Sequence, residues 1–131
     1  MKKAIAVILG LGLAGGATHA LAGSKSTLNV TVTSTFFSGT IGDARASSDN
    51  QQLIYCGLFG QSGNNLMGSC GARNASGTQA VCNVDATTNP ALGYVLATIT
   101  PMSSINVQYA SNGMCTQINV HNGSQNRPPT P

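Results

Sequence analysis

Four cysteines, Cys56, Cys70, Cys82 and Cys115, constrain this chain more than any other feature. An even number of cysteines in a short exported domain reads as a disulfide frame. Their intervals contain no C-x-x-C, and His121 is the one histidine beyond the leader. Zinc-ligand spacing is therefore missing, and two disulfides are expected instead. Four cysteines allow three connectivities. If Ala75-Ser76-Gly77 forms a three-residue hairpin loop with Gly77 at positive φ, Cys70 falls opposite Cys82. That register permits Cys70–Cys82 with Cys56–Cys115, the pairing set slightly ahead of the sequential Cys56–Cys70 with Cys82–Cys115.

The disulfide reading depends on export, which the N-terminus supplies. Lys2 and Lys3 precede an apolar run from Ala4 to about Ala17, followed by Ala20-Leu21-Ala22, a small-x-small cleavage pattern. The expected boundaries are a signal peptide over 1–22, with Ala20 as the alternative cleavage position, one secreted β domain over 23–123, and a flexible Pro-rich tail over 124–131. The apolar run is shorter than the ~20 residues of a membrane-spanning helix, so no membrane insertion is expected after cleavage. The expected location is periplasmic or extracellular, and the short basic start has a bacterial look.

Removing the first 22 of 131 residues leaves 109, enough for one modest core. Lys25, Arg45, Arg73 and Arg127 stand against Asp43, Asp49 and Asp85, a balance of +1 for the processed chain. This charge offers no footprint for nucleic acid and no basic amphipathic helix for membrane.

Periodicity points to a mainly β fold. TLNVTVTST, residues 27–35, alternates with period two and predicts a half-buried strand. FFSGTIGDARASSDN predicts a loop with one helical turn near Ala44 to Ser47. QQLIYCGLFG is apolar on both alternating sets, so a central strand covered on both faces is expected. Residues 65–84 read as a hairpin. Asn89 with Pro90 starts a short helix that Pro101 stops, although YVLATI also fits a strand. In SSINVQYASNGMCTQINVHNG, a two-residue Asn112-Gly113 turn sets Tyr109 opposite Thr116, Val107 opposite Ile118 and Ile105 opposite Val120 on the apolar face. Gln108 then faces Gln117 and Asn106 faces Asn119, an amide ladder on the other face. The expected fold is a small antiparallel sandwich or rolled sheet with at most one short helix, stapled by two disulfides.

Catalytic chemistry finds little to work with. Beyond the leader there is no Glu and no Trp, and a triad would need His121, one of three aspartates and an arbitrary serine. No G-x-S-x-G elbow is present, and His121 reads as an exposed residue opposite Ser104. DARASSDN lacks the spacing of a calcium loop, GLFGQSG lacks the Lys of a phosphate loop, and no cofactor is expected. The expectation is a non-enzyme.

The segments IGDARASSDNQQLIYCGLF, GSCGARNASGTQAVC, NPAL and NGMCTQINV, with the proline-ending tail, resemble a set of small secreted proteobacterial proteins. These share an ARxSxD run before a Tyr-x-Cys-like strand, four cysteines in this order and a C-terminal Gly-x-Cys-Thr hairpin. The resemblance spans nearly all of the processed chain. It departs at Leu53-Ile54-Tyr55-Cys56, where Tyr-Ile-Gly-Cys is expected. It implies one exported, disulfide-framed domain and brings no catalytic or binding residue.

Two functions fit these features. One is a secreted structural or surface protein that self-associates or adheres through sheet edges and the amide face of Asn106, Gln108, Gln117 and Asn119, with itself or another extracellular protein as partner. The other is a ligand-binding or inhibitor module whose loops at 36–50 and 60–65 present Phe36 and Phe37.

Overall fold

The computed structural model describes residues 27–123, 125 and 126. The leader and its cleavage positions lie outside these residues, as does most of the C-terminal tail. The part of the tail that is described is anchored: Asn126 is buried, and its side-chain amide donates to the carbonyls of Met102 and His121 at 2.6 and 3.1 Å.

The elements are β1 (Thr31–Val32), β2 (Phe36–Thr40), α1 (Ile41–Arg45), β3 (Leu53–Gln61), β4 (Asn65–Arg73), β5 (Gln79–Asp85), α2 (Pro90–Ala97), β6 (Ser103–Tyr109) and β7 (Cys115–Asn122). They form two antiparallel sheets, one in the order β1-β2-β6-β7 and the other β3-β4-β5. The protein is thus the mainly β, disulfide-stapled fold expected, with the proline-started helix at α2; the helical turn expected near Ala44 to Ser47 lies earlier, as α1 over Ile41–Arg45. Inward-facing residues of both sheets share one core that includes Phe37, Ile54, Val84, Ile105, Val107 and Ile118. The Phe37 and Tyr109 rings pack with centroids 5.8 Å apart, and the Tyr109 hydroxyl donates to the Thr33 carbonyl at 2.6 Å. An aromatic side chain thereby fixes the β1–β2 turn on top of β6.

The alternating segment 27–35 pairs within its own chain. Thr31 lies opposite Ser38 and Val32 opposite Phe37, and Thr40 donates its N–H to the Leu28 carbonyl at 3.2 Å. The strand is shorter than the alternation over 27–35 predicts: only Thr31–Val32 is ladder, Leu28 is 45% exposed, and β1 is the marginal strand of its sheet.

Two further expectations about strands need correcting. First, β3 is an edge strand, because only β4 pairs with it. Ile54, Cys56 and Leu58 face the core, whereas Leu53, Tyr55 and Phe59 stand on an outer face that no second layer covers. Apolar residues on both alternating sets therefore do not mean burial on both sides here. Second, the closing turn is longer than Asn112-Gly113. Gly113 has positive φ and Asn112 does not, so the type I′ turn, which needs both, is absent. Gly113 donates to Ala110 and Ala110 to Met114, a three-residue loop like the one at Ala75-Ser76-Gly77. Tyr109 then lies opposite Cys115, and Thr116 is an extra residue that restores Gln108↔Gln117 and the rest of the expected register.

That bulge decides where Cys115 points. In an unbroken ladder Cys115 would share the outer face with Gln117; with Thr116 extruded, Cys115 turns inward and is 6% exposed. It joins Cys82, and Cys56 joins Cys70, so the sequential pairing is the one that forms. The hairpin register is as expected, with Cys70 opposite Cys82, but Cys56 also lies opposite Cys70 on the other side. Adjacent pairs in an antiparallel ladder alternate between close, non-hydrogen-bonded positions near 4.5 Å and hydrogen-bonded ones near 5.5 Å. Cys56 and Cys70 have Cα atoms 4.0 Å apart, the close kind. The backbone of Cys70 therefore bonds toward β5, and its pair with Cys82 is the wider kind. Cys115 meanwhile arrives at the free edge of β5, where Asn83 donates to the Gly113 carbonyl at 2.9 Å. Cys82 is the sulfur within its reach.

Candidate interaction surfaces

The amide ladder forms as the hairpin pattern predicts. Asn106 pairs with Asn119 and Gln108 with Gln117, and β2 extends the rows by setting Ser38 beside Asn106 and Phe36 beside Gln108. Gln108 and Gln117 are exposed, while Asn106 and Asn119 are half-buried. The Gln117 amide donates to the Asn119 side-chain oxygen at 3.3 Å, so part of the face's hydrogen-bonding capacity is used along its own strand.

His121 is exposed and opposite Ser104, its predicted place. It stands at an open groove of about 390 Å³ between α2 and β7 that also has Tyr94, Thr98 and Asn119 in its lining. The three aspartates serve backbone elsewhere. Asp43, 6% exposed, accepts the Leu28 N–H at 2.9 Å. Asp49 accepts the N–H groups of Gln51 and Gln52 and the Gln52 side-chain amide, which hold its carboxyl down at about 2. Asp85 closes the turn before α2 by accepting from Thr87 and Thr88, and these bonds, Thr88's foremost, also lower its pKa. Asp43 and Asp49 thus serve different backbone segments, and among the described residues no group of three or more His, Cys, Asp or Glu could hold a metal ion.

The loops expected at 36–50 and 60–65 are shorter than that, 46–50 and 62–64, and do not include the aromatic residues. Phe36 and Phe37 lie in β2, with Phe37 fully buried, residues 41–45 form α1, and Gly60 and Gln61 complete β3.

The surface that sequence reasoning missed is the outer face of the three-stranded sheet. The pairing places Leu53 beside Arg73 and Gln79, Tyr55 beside Gly71 and Val81, Gly57 beside Ser69 and Asn83, and Phe59 beside Met67 and Asp85. Leu53, Tyr55, Phe59 and Val81 are 41 to 54% exposed. Gly71 makes room for this arrangement, because a Cβ there would stand 2.7 Å from the Tyr55 ring. The tyrosine lies flat across the sheet toward Val81. Leu53, Tyr55 and Val81 are neighbours, and Phe59 stands four residues along β3 from Tyr55, beyond Gly57, Ser69 and Asn83. Exposed apolar residues gathered on one face mark an interaction surface more often than scattered single ones do. The signal was present in LIYCGLFG, whose second apolar set was assigned to a buried face.

The edge beside this face is also bare. No backbone hydrogen bond reaches the outer side of β3 from elsewhere among the described residues. Nine residues form it without the charge or proline that commonly blunts an edge, and α1 packs near its start at Leu53 and Ile54. The opposite edge of the same sheet, β5, is met at one point, where Asn83 donates to the Gly113 carbonyl and bridges to Met114.

Fold and surface define a disulfide-clasped β-sandwich whose three-stranded sheet has a bare β3 margin. Comparisons with protein-family models, curated proteins and solved structures return no match.

Proposed function

We propose that this protein is an exported, non-enzymatic structural or surface protein that acts by protein–protein contact, through self-association or adhesion, with its three-stranded sheet as the contact surface. The observation that carries the reading is the gathering of exposed Leu53, Tyr55, Phe59 and Val81 on one face beside an uncharged, unpaired strand edge. Unpaired edges template the addition of another strand, and aromatic residues anchor such contacts. Export is supported by the two disulfides and the leader; among the described residues no helix is long and apolar enough to cross a membrane. The amide face of Asn106, Gln108, Gln117 and Asn119 is the secondary surface. Its Asn106 and Asn119 are half-buried and Gln117 already donates to Asn119, which leaves it less free capacity for a partner.

The test is fractionation of producing cells. Wild-type protein is expected in envelope-associated or assembled material, and the Tyr55→Ser/Phe59→Ser double variant is expected in the freely soluble fraction. Identical partition of the two, with both folded and oxidised, refutes the assignment of function to this face.

A further inference from the structure

The edge strand β3 is self-complementary, and we infer that its occupant is the β3 strand of a second copy of this protein, joined antiparallel about a two-fold axis through Gly57. This rests on the reading of the three-stranded sheet as the contact surface and specifies its partner and register.

The direction of the free backbone groups comes from the disulfide. Cys56 occupies a non-hydrogen-bonded pair with Cys70, Cα atoms 4.0 Å apart, so its own N–H and C=O point away from β4. By alternation the same holds for Ile54, Leu58 and Gly60. An antiparallel partner must match these residues with each other, which allows only registers whose paired numbers are both even. Centring on Gly57 satisfies this with the longest overlap: Ile54 pairs with Gly60 and Cys56 with Leu58, each twice by symmetry. All eight free backbone groups of each strand are then used, and the two three-stranded sheets merge into one of six strands.

The side chains suit the same register. On the outer face Tyr55 comes opposite Phe59 of the second copy in non-hydrogen-bonded pairs, where side chains approach most closely, and the symmetry gives two such aromatic pairs. Gly57 meets Gly57 at the axis, with no atom within 4 Å of where a Cβ would stand. Gly60, equally unencumbered, comes opposite Ile54, beside a groove of about 250 Å³ between α1 and the start of β3 that has Ile41, Ala44 and Arg45 along its α1 side. A larger residue at 60 would have to enter that groove. Nothing in the strand opposes pairing by charge, since Leu53–Gln61 carries none. A strip of nine residues is ~30 Å long and one strand wide, below the ~800 Å² per partner of a standard interface, the size of a weak, reversible contact.

Sedimentation analysis of the oxidised, exported protein from about 1 to 300 μM tests this, since a weak, reversible dimer changes its population with concentration. The expected result is a monomer–dimer equilibrium that the Gly57→Lys substitution weakens roughly fivefold or more, by placing two like charges face to face at the axis. Because the position is open, Gly57→Lys and Gly57→Asp should unfold in urea like the wild type. Mixing the two variants should restore dimer that neither forms alone. A wild-type protein that is monomeric throughout overturns the inference, and so does a dimer indifferent to Gly57→Lys or a mixture that fails to recover. Envelope retention dependent on Tyr55 and Phe59 combined with a strict monomer refutes the two-fold dimer alone; equal partition of the double variant refutes the broader function.

Discussion

Removing the two disulfides in turn should not cost the same. The Cys82–Cys115 bridge closes a separation of 33 residues and Cys56–Cys70 one of 14. Loop-closure entropy lost by the unfolded chain then favours the folded state by about 3.7 kcal/mol for the first and about 3.0 kcal/mol for the second at 25 °C. Packing adds in the same direction. Cys82 and Cys115 are 0 and 6% exposed, whereas Cys56 is only half-buried beside a fully buried Cys70. Replacing Cys82 and Cys115 together by alanine leaves a void between the sheets worth about a further 1 kcal/mol. The total approaches the 5 to 15 kcal/mol typical of a whole domain. Equilibrium urea unfolding of Cys82→Ala/Cys115→Ala and Cys56→Ala/Cys70→Ala is the assay, the cysteines being removed in bonded pairs so that no free thiol exchanges. With a slope of about 1–2 kcal/mol per M, the midpoint of the first variant should fall by roughly 2–4 M, and that of the second by less. If the Cys56/Cys70 variant loses as much or more, the argument from loop length and burial fails.

Deletion of Thr116 removes the bulged residue and should leave the Cys82–Cys115 bridge formed and the fold intact, as scored by thiol titration and circular dichroism; in an unbulged ladder the same deletion would turn every following residue to the wrong face. Phe37→Ala empties a fully buried position and should cost about 3–5 kcal/mol in urea unfolding. Asp49 is held at about 2 by the Gln52 amide first and by backbone N–H groups second, so its stabilising contribution is complete above its ordinary value of 3.8 and is lost as pH falls toward 2. Carboxyl NMR titration should find that midpoint, and Gln52→Ala should move it upward; a wild-type midpoint near 3.8 would contradict the geometry.

Much of the architecture was legible in the chain because it is local. Alternation marked the β6–β7 pair, Gly77 closed a three-residue loop, and Asn89-Pro90 opened α2, each dictated by neighbours within a few residues, whereas the alternation over 27–35 yields only the two-residue β1. The amide ladder and the Ser104–His121 pairing followed from one hairpin.

What the sequence could not decide were choices among partners distant in the chain. Cys70 has a cysteine on either side, and the parity of the β3–β4 ladder together with the arrival of the Gly113 loop at β5 selects Cys56 for Cys70 and Cys82 for Cys115. LIYCGLFG is apolar on both faces whether it is sandwiched or bare. Only the strand order, with β3 at the margin and no layer over its outer face, makes Leu53, Tyr55 and Phe59 a surface. Composition and period determine that a strand forms and which residues share a face. The neighbours that cover that face belong to the whole fold, because burial is a property of the packing of distant segments.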